Sequence, residues 1–127
     1  MRILVVDDIE SVRGLIVNGI KQFGHPEIEI GTADDGISAL KILLNDRFDL
    51  VIADWNMPGL SGINLLKAIR NNPDLKHIKF LMVTGEAKVE NILLAKSAGV
   101  DDYIVKPFAQ AMLWEKVENM FNPEGKK

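Results

Sequence analysis

Short runs rich in branched apolar residues recur five times along the chain, each followed by a stretch with helical spacing. This alternation restricts the possible folds more than any other feature. Ile3-Leu4-Val5-Val6 is continuously apolar, as expected of a strand buried on both faces of a parallel sheet. Glu27 to Ala33 alternates polar and apolar, with Ile28 and Ile30 on one face, and reads as a second strand at an edge. Leu50 to Ala53, Ile78 to Val83 and Tyr103 to Val105 supply the third, fourth and fifth. Between them, Val12, Leu15, Ile16, Gly19, Ile20 and Phe23 are spaced for a first helix that Gly24 closes. Gly19 lies on that stripe, where the absence of a side chain would let the helix approach the sheet closely. Ala39, Leu40, Leu43 and Leu44 mark a second helix, and Ile63, Leu65, Leu66 and Ile69, behind an N-cap at Ser61, a third. Val89, Ile92, Leu93 and Ala95 mark a fourth that closes at Ala98-Gly99, and Leu113, Val117, Met120 and Phe121 a fifth. Parallel neighbours need right-handed helical crossovers, so the pattern predicts a three-layer α/β/α domain around a five-stranded parallel sheet.

The 127 residues suit one such domain, expected over 1–122 and followed by a short polar tail at 123–127. A net charge of −3 offers no electrostatic footprint for nucleic acid or for an anionic membrane surface. The chain has no cysteine, which excludes thiolate chemistry and disulfides. The four apolar residues from Ile3 are too few for a signal-peptide core or a membrane span, so a cytoplasmic protein is expected.

In an open parallel sheet the ligand site lies beyond the carboxyl ends of the strands, where the strand order reverses. The residues expected there are Asp7 and Asp8, Asp54, Thr84 and Lys106. A single carboxylate at such a junction can simply cap a helix, but three of them with a hydroxyl and an ammonium form a chemical set. Two carboxylates about 5 Å apart repel by roughly 3 kcal/mol at an effective dielectric of 20, so three in one crevice call for a cation. Hard oxygen ligands select Mg²⁺, with Mn²⁺ possible, and such ions favour sites shared with phosphate. Lys106 and Thr84 could each serve one phosphoryl oxygen, which leaves Asp54 as a nucleophile able to form an acyl phosphate.

Asp7-Asp8, Asp54, Thr84 and Lys106-Pro107, spaced along five βα units, resemble the receiver domain of two-component response regulators over essentially the whole chain. Asp54-Trp55-Asn56-Met57-Pro58, Val83-Thr84-Gly85-Glu86-Ala87-Lys88, Glu90-Asn91-Ile92 and Tyr103-Ile104-Val105-Lys106-Pro107-Phe108 are similar to the stand-alone chemotaxis receivers of that family. The resemblance implies the flavodoxin-like strand order 2-1-3-4-5. It also implies that Asp54 accepts a phosphoryl group from a sensor histidine kinase. Asp8, Asp54 and the backbone carbonyl of Asn56 would hold Mg²⁺, with Asp7 acting through water, and Lys106, aimed by a cis bond to Pro107, would contact the phosphoryl group. Thr84 and Tyr103 would be the switch residues, and Asn56 and Glu86 would tune hydrolysis. The implied output is a monomer that binds a flagellar motor switch protein of the FliM type, or another output protein, through the fourth helix, fifth strand and fifth helix. No enzyme activity is implied beyond self-phosphorylation and autodephosphorylation.

A receiver cut from a longer regulator, or a phosphorelay intermediate, would carry the same residues. A haloacid dehalogenase-type phosphatase also uses a strand-end Asp, but it needs a second Asp two residues later, where this chain has Asn56. A flavodoxin-like cofactor module would place a phosphate loop after the first strand, where this chain has acids. Asp34-Asp35 is expected to cap the second helix, Asp101-Asp102 to form a solvated turn, and His25 and His77 to lie in loops without ligand partners. Trp55 should sit partly exposed beside the site as a fluorescence reporter. Trp114 is left open between partner anchor and core edge.

Overall fold

Strands that are apolar on every side chain have to be covered on both faces, and the fold meets that demand with two cores. The computed structural model describes residues 1–85 and 87–122. The elements are β1 (Arg2–Val6), α1 (Glu10–Phe23), β2 (Glu29–Ala33), α2 (Gly36–Asn45), β3 (Leu50–Asp54), α3 (Gly62–Arg70), β4 (Lys79–Thr84), α4 (Val89–Ala98), β5 (Asp102–Val105) and α5 (Gln110–Phe121). All strand pairs are parallel, in the order β2-β1-β3-β4-β5. Because side chains alternate along a strand, Leu4, Val6, Val51, Ala53, Phe80 and Met82 meet α2 and α3 on one face. The intervening Ile3, Val5, Leu50, Ile52, Leu81 and Val83 meet Ile16 and Ile20 of α1 and Leu113, Trp114 and Val117 of α5 on the other. The three-layer architecture is as expected.

Local chemistry sets where elements start and stop. Asp35 caps α2, its carboxylate accepting from the Ser38 N–H at 2.7 Å and the Ser38 hydroxyl at 3.0 Å, and Ser61 caps α3 at Asn64. Gly62, the first residue of α3, lies so close to the tip of β3 that a Cβ would run into the Asp54 carbonyl and come within 2.9 Å of the Trp55 Cα. Only glycine lets α3 begin there. Gly99 ends α4 in the left-handed conformation at φ 96°. β2 starts two residues later than expected because the Ile28 N–H closes a turn on the His25 carbonyl at 3.1 Å.

Several expectations are corrected. Gly19 permits close approach to α5, not to the sheet: its nearest neighbour beyond α1 is the Gln110 Cβ, 3.1 Å from where its own Cβ would stand. Leu15, Phe23 and Leu44 are exposed, because the faces of α1 and α2 that meet the rest of the fold are narrower than the apolar stripes. On α4 only Ala95 is buried; Val89 and Leu93 are 70% and 60% exposed. Leu93 precedes Ala95 by two residues, about 200° round the helix, so the side that packs on α3 and β4 turns it outward. Asp101 lies exposed in the bend before β5, as expected, but it is also tied to its neighbours. Its Oδ2 accepts from the Phe80 N–H at 2.7 Å and from Arg70 Nη2 at 2.9 Å, and Asp102 begins β5. Trp114 resolves as core edge, buried in the α1/α5 core with its ring edge-on to His25.

Candidate functional site

The register of the sheet assembles the site. Val6 lies opposite Ala53, so Asp7 and Asp54 leave adjacent strands side by side at the point where the order reverses. Backbone bonds continue past the strand ends. The Asp7 N–H donates to Ala33 O at 3.2 Å, the Trp55 N–H to Val83 O at 2.8 Å and the Lys106 N–H to Thr84 O at 2.8 Å. Each predicted side chain therefore leaves a fixed main chain.

Asp7, Asp8 and Asp54 bring one carboxylate oxygen each within 4.8 Å of one another. Asp7 is fully buried and Asp54 is 4% exposed, whereas Asp8 faces solvent. The Lys106 Nζ reaches over this group, 3.1 Å from Asp54 Oδ1 and 3.8 Å from Asp7 Oδ2. The Lys106–Pro107 peptide is cis. Burial pushes the Asp54 carboxyl above the usual carboxylate range, against the pull of the Lys106 hydrogen bond and charge, and the Asp8 charge adds to the rise. Burial does the same to Asp7, partly offset by the Ile9 N–H and reinforced by the charge of Asp54.

At 4.8 Å or less each carboxylate pair repels by at least about 3 kcal/mol at an effective dielectric of 20. One ammonium cannot balance three such charges. Asp7 Oδ2 is moreover buried with no hydrogen-bond partner, an uncommon state for a charged oxygen. A clustered all-oxygen donor set with an unsatisfied buried atom fits a hard divalent cation.

Thr84 is buried at the tip of β4. Tyr103, half-buried on β5, faces it across a narrow apolar gap lined also by Trp55, Met82, Ile92 and Ala95. Trp55 is partly buried against the α2/α3 core, beside Asp54. Asn56 is exposed in the loop after β3. Glu86 and the tail at 123–127 lie outside the described residues. Two contacts escape a reading by motif. Arg13 Nη1 donates to the Asp7 carbonyl at 2.7 Å, and the Lys116 Nζ sits 5.7 Å from the Tyr103 ring centroid while pairing with Asp102 at 3.5 Å. Both are cations on amphipathic helices, and only their position six or thirteen residues from a site residue hints at a role. Among the described residues no helix is long and apolar enough to cross a membrane.

A carboxylate cluster and a lysine thus share the carboxyl edge of a parallel sheet, and comparison with known proteins identifies the class. The response regulator receiver domain matches residues 3–118, so the chain belongs to the receiver-domain family, whose members are signalling switches and not substrate-processing enzymes. It is 48% identical over 121 residues to chemotaxis protein CheY-3 of Vibrio cholerae, covering 95% of this chain and 92% of that one. It is 46% identical to chemotaxis protein CheY of Pseudomonas aeruginosa, covering 95% and 96%. Among solved structures, the chemotaxis response regulator CheY4 of Vibrio cholerae superposes with a TM-score of 0.85 at 33% identity, covering 94% of this chain and 97% of that one.

Proposed function

We propose that this receiver works as a stand-alone chemotaxis switch in which Asp54 accepts a phosphoryl group from a phosphohistidine of a sensor kinase. The observation that carries the reading is the Lys106 Nζ, held 3.1 Å from Asp54 Oδ1 at the carboxyl edge of the sheet. An Asp54 oxygen attacks phosphorus as the phosphorus–nitrogen bond of the donor breaks, and the departing imidazole takes up a proton. Lys106 shifts its ammonium from the carboxylate to a phosphoryl oxygen and so offsets charge where it accumulates. Asp8, Asp54 and the backbone carbonyl of Asn56 would hold Mg²⁺, or Mn²⁺, with Asp7 acting through water; the ion, when bound, screens the carboxylates and the phosphoryl oxygens from one another.

Phosphorylation adds about −1.5 to −2 charges, and the Thr84 hydroxyl gains an acceptor that exists only in that state. This difference biases the β4–α4 connection between two arrangements. Tyr103 follows Thr84 by moving into the apolar gap between them. The surface this would alter is α4, β5 and α5, where exposed Val89 and Leu93 suit an apolar partner segment such as one from a flagellar motor switch protein. Asn56 and Glu86 would set the hydrolysis rate.

Incubation with a small phosphodonor such as acetyl phosphate in Mg²⁺ is expected to add one phosphoryl group, removable by hydroxylamine as an acyl phosphate is. Asp54→Asn should show none by intact mass. Equal labelling of Asp54→Asn, or a hydroxylamine-stable adduct, would sink the assignment. A beryllofluoride-treated protein whose affinity for a motor-switch peptide is unchanged would remove the partner.

A further inference from the structure

Asp7 is tied at three of its four backbone and side-chain polar atoms. Its N–H goes to the Ala33 carbonyl, its Oδ1 accepts the Ile9 N–H at 2.9 Å, and its carbonyl accepts Arg13 Nη1 at 2.7 Å. Only Oδ2 has no hydrogen-bond partner, and it lies 3.8 Å from the Lys106 Nζ, on the side of the carboxylate cluster. Two of the three ties come from α1 and its approach. Ile9, the residue before the helix, offers no side-chain cap, and its own N–H is held by the Asp7 carboxylate. Arg13, one turn further on, reaches back to the main chain of the same residue.

We infer that Arg13 is a positioning residue for the divalent-cation site: by clamping the Asp7 carbonyl to α1 it fixes the β1–α1 turn, and with it the directions of Asp7 Oδ2 and of the adjoining Asp8 carboxylate. A hydrogen bond from a guanidinium is among the stronger kinds, and it is short here. A loose turn would let two mutually repelling carboxylates swing apart toward water, and the cation would have to gather them before binding. The clamp removes that ordering cost in advance. Arg13 also carries a positive charge near the site, which by itself opposes cation binding. The two effects have opposite signs, and this makes the inference testable.

The inference rests on the reading that Asp7, Asp8 and Asp54 bind a divalent cation. Mg²⁺ titrations of the unphosphorylated full chain, followed by calorimetry and by Trp55 fluorescence, would compare wild type with Arg13→Met, Arg13→Gln and Arg13→Lys. Arg13→Met should bind about tenfold more weakly, equivalent to about 1.4 kcal/mol. Arg13→Gln, which keeps a neutral donor, and Arg13→Lys, which keeps the charge on one donor nitrogen, should each recover part of the loss. Urea denaturation in EDTA provides the control for a general loss of fold, since a purely structural role would lower stability without changing the affinity of the folded fraction. Tighter binding by Arg13→Met and by Arg13→Gln would show that the charge dominates and overturn the clamp, as would unchanged affinity in both. Absence of Mg²⁺ binding by the wild type would instead overturn the reading of the site itself, and the clamp with it.

Discussion

Asp7→Asn is expected to make the metal-free protein more stable at pH 7, by about 2 kcal/mol, because it removes a buried charge and its repulsion with the Asp54 and Asp8 carboxylates. Burial raises the Asp7 carboxyl above its ordinary value of 3.8, so the folded protein holds that proton more tightly than the unfolded chain. The contribution of Asp7 to stability is therefore complete below pH 3.8 and is lost as the pH rises through the folded value. At neutral pH the native state carries a buried carboxylate beside that of Asp54. Asparagine keeps the oxygen that accepts from the Ile9 N–H and cannot titrate. Urea midpoints in EDTA should show the variant ahead near neutrality, with the advantage closing as the solution is acidified. Added Mg²⁺ should narrow the gap by stabilising the wild type more. A variant less stable than wild type at pH 7 without metal would mean that the Lys106 attraction outweighs burial.

That a site residue should be a liability to its own fold agrees with how the sequence and the structure correspond elsewhere. The strands are legible to within two residues because an unbroken run such as Leu50 to Ala53 has no face to leave in water. Their tips are legible because a carboxylate ending such a run cannot belong to the core. The strand tips alone bring Asp7, Asp54, Thr84 and Lys106 to one edge. The strand order could not be read this way; it came with the family resemblance. Helix burial was less legible. Val89 and Leu93 are as apolar as Leu65 and Leu66, and nothing in their spacing says which side of α4 meets α3. That depends on where the neighbouring elements lie. Gly19, expected to face the sheet, and Trp114, open between two readings, escape the sequence for the same reason: both are explained by the packing of α1 on α5, a contact between residues some ninety positions apart. The Arg13 tie and the Asp101 clasp involve backbone groups as partners, and backbone groups leave no mark in a sequence.

The Asp101 clasp leads to the other large effect. Arg70→Met is expected to destabilise the protein by about 3 kcal/mol, more than a surface ion pair would, because the guanidinium serves four acceptors at once. Its Nε donates to Gly99 O at 2.8 Å, its Nη1 to Lys76 O at 3.1 Å and to Ile78 O at 2.5 Å, and its Nη2 to Asp101 Oδ2 at 2.9 Å. Three of the four are main-chain carbonyls and the fourth is a carboxylate itself bonded to main chain, all drawn from the α3–β4 and α4–β5 connections, so one side chain of α3 fixes the entry to β4 and the exit of α4. Asp101 extends the tie to the Phe80 N–H. Methionine fills much of the volume but supplies no donor, and the left-handed Gly99, packed against the Arg70 stem, would lose its anchor. Arg70→Lys should recover little, since an ammonium cannot span the guanidinium fork. Hydrogen exchange separates this from a general loosening: the Phe80 amide should exchange much faster in Arg70→Met, while the Ile52 amide, in the centre of β3, should change only by the loss of global stability. Equal acceleration at both would mean that Arg70 contributes bulk stability and does not pin α4. If the pin holds, α4 is tethered at its carboxyl end, and the end nearer Thr84 is the one left to respond at the site.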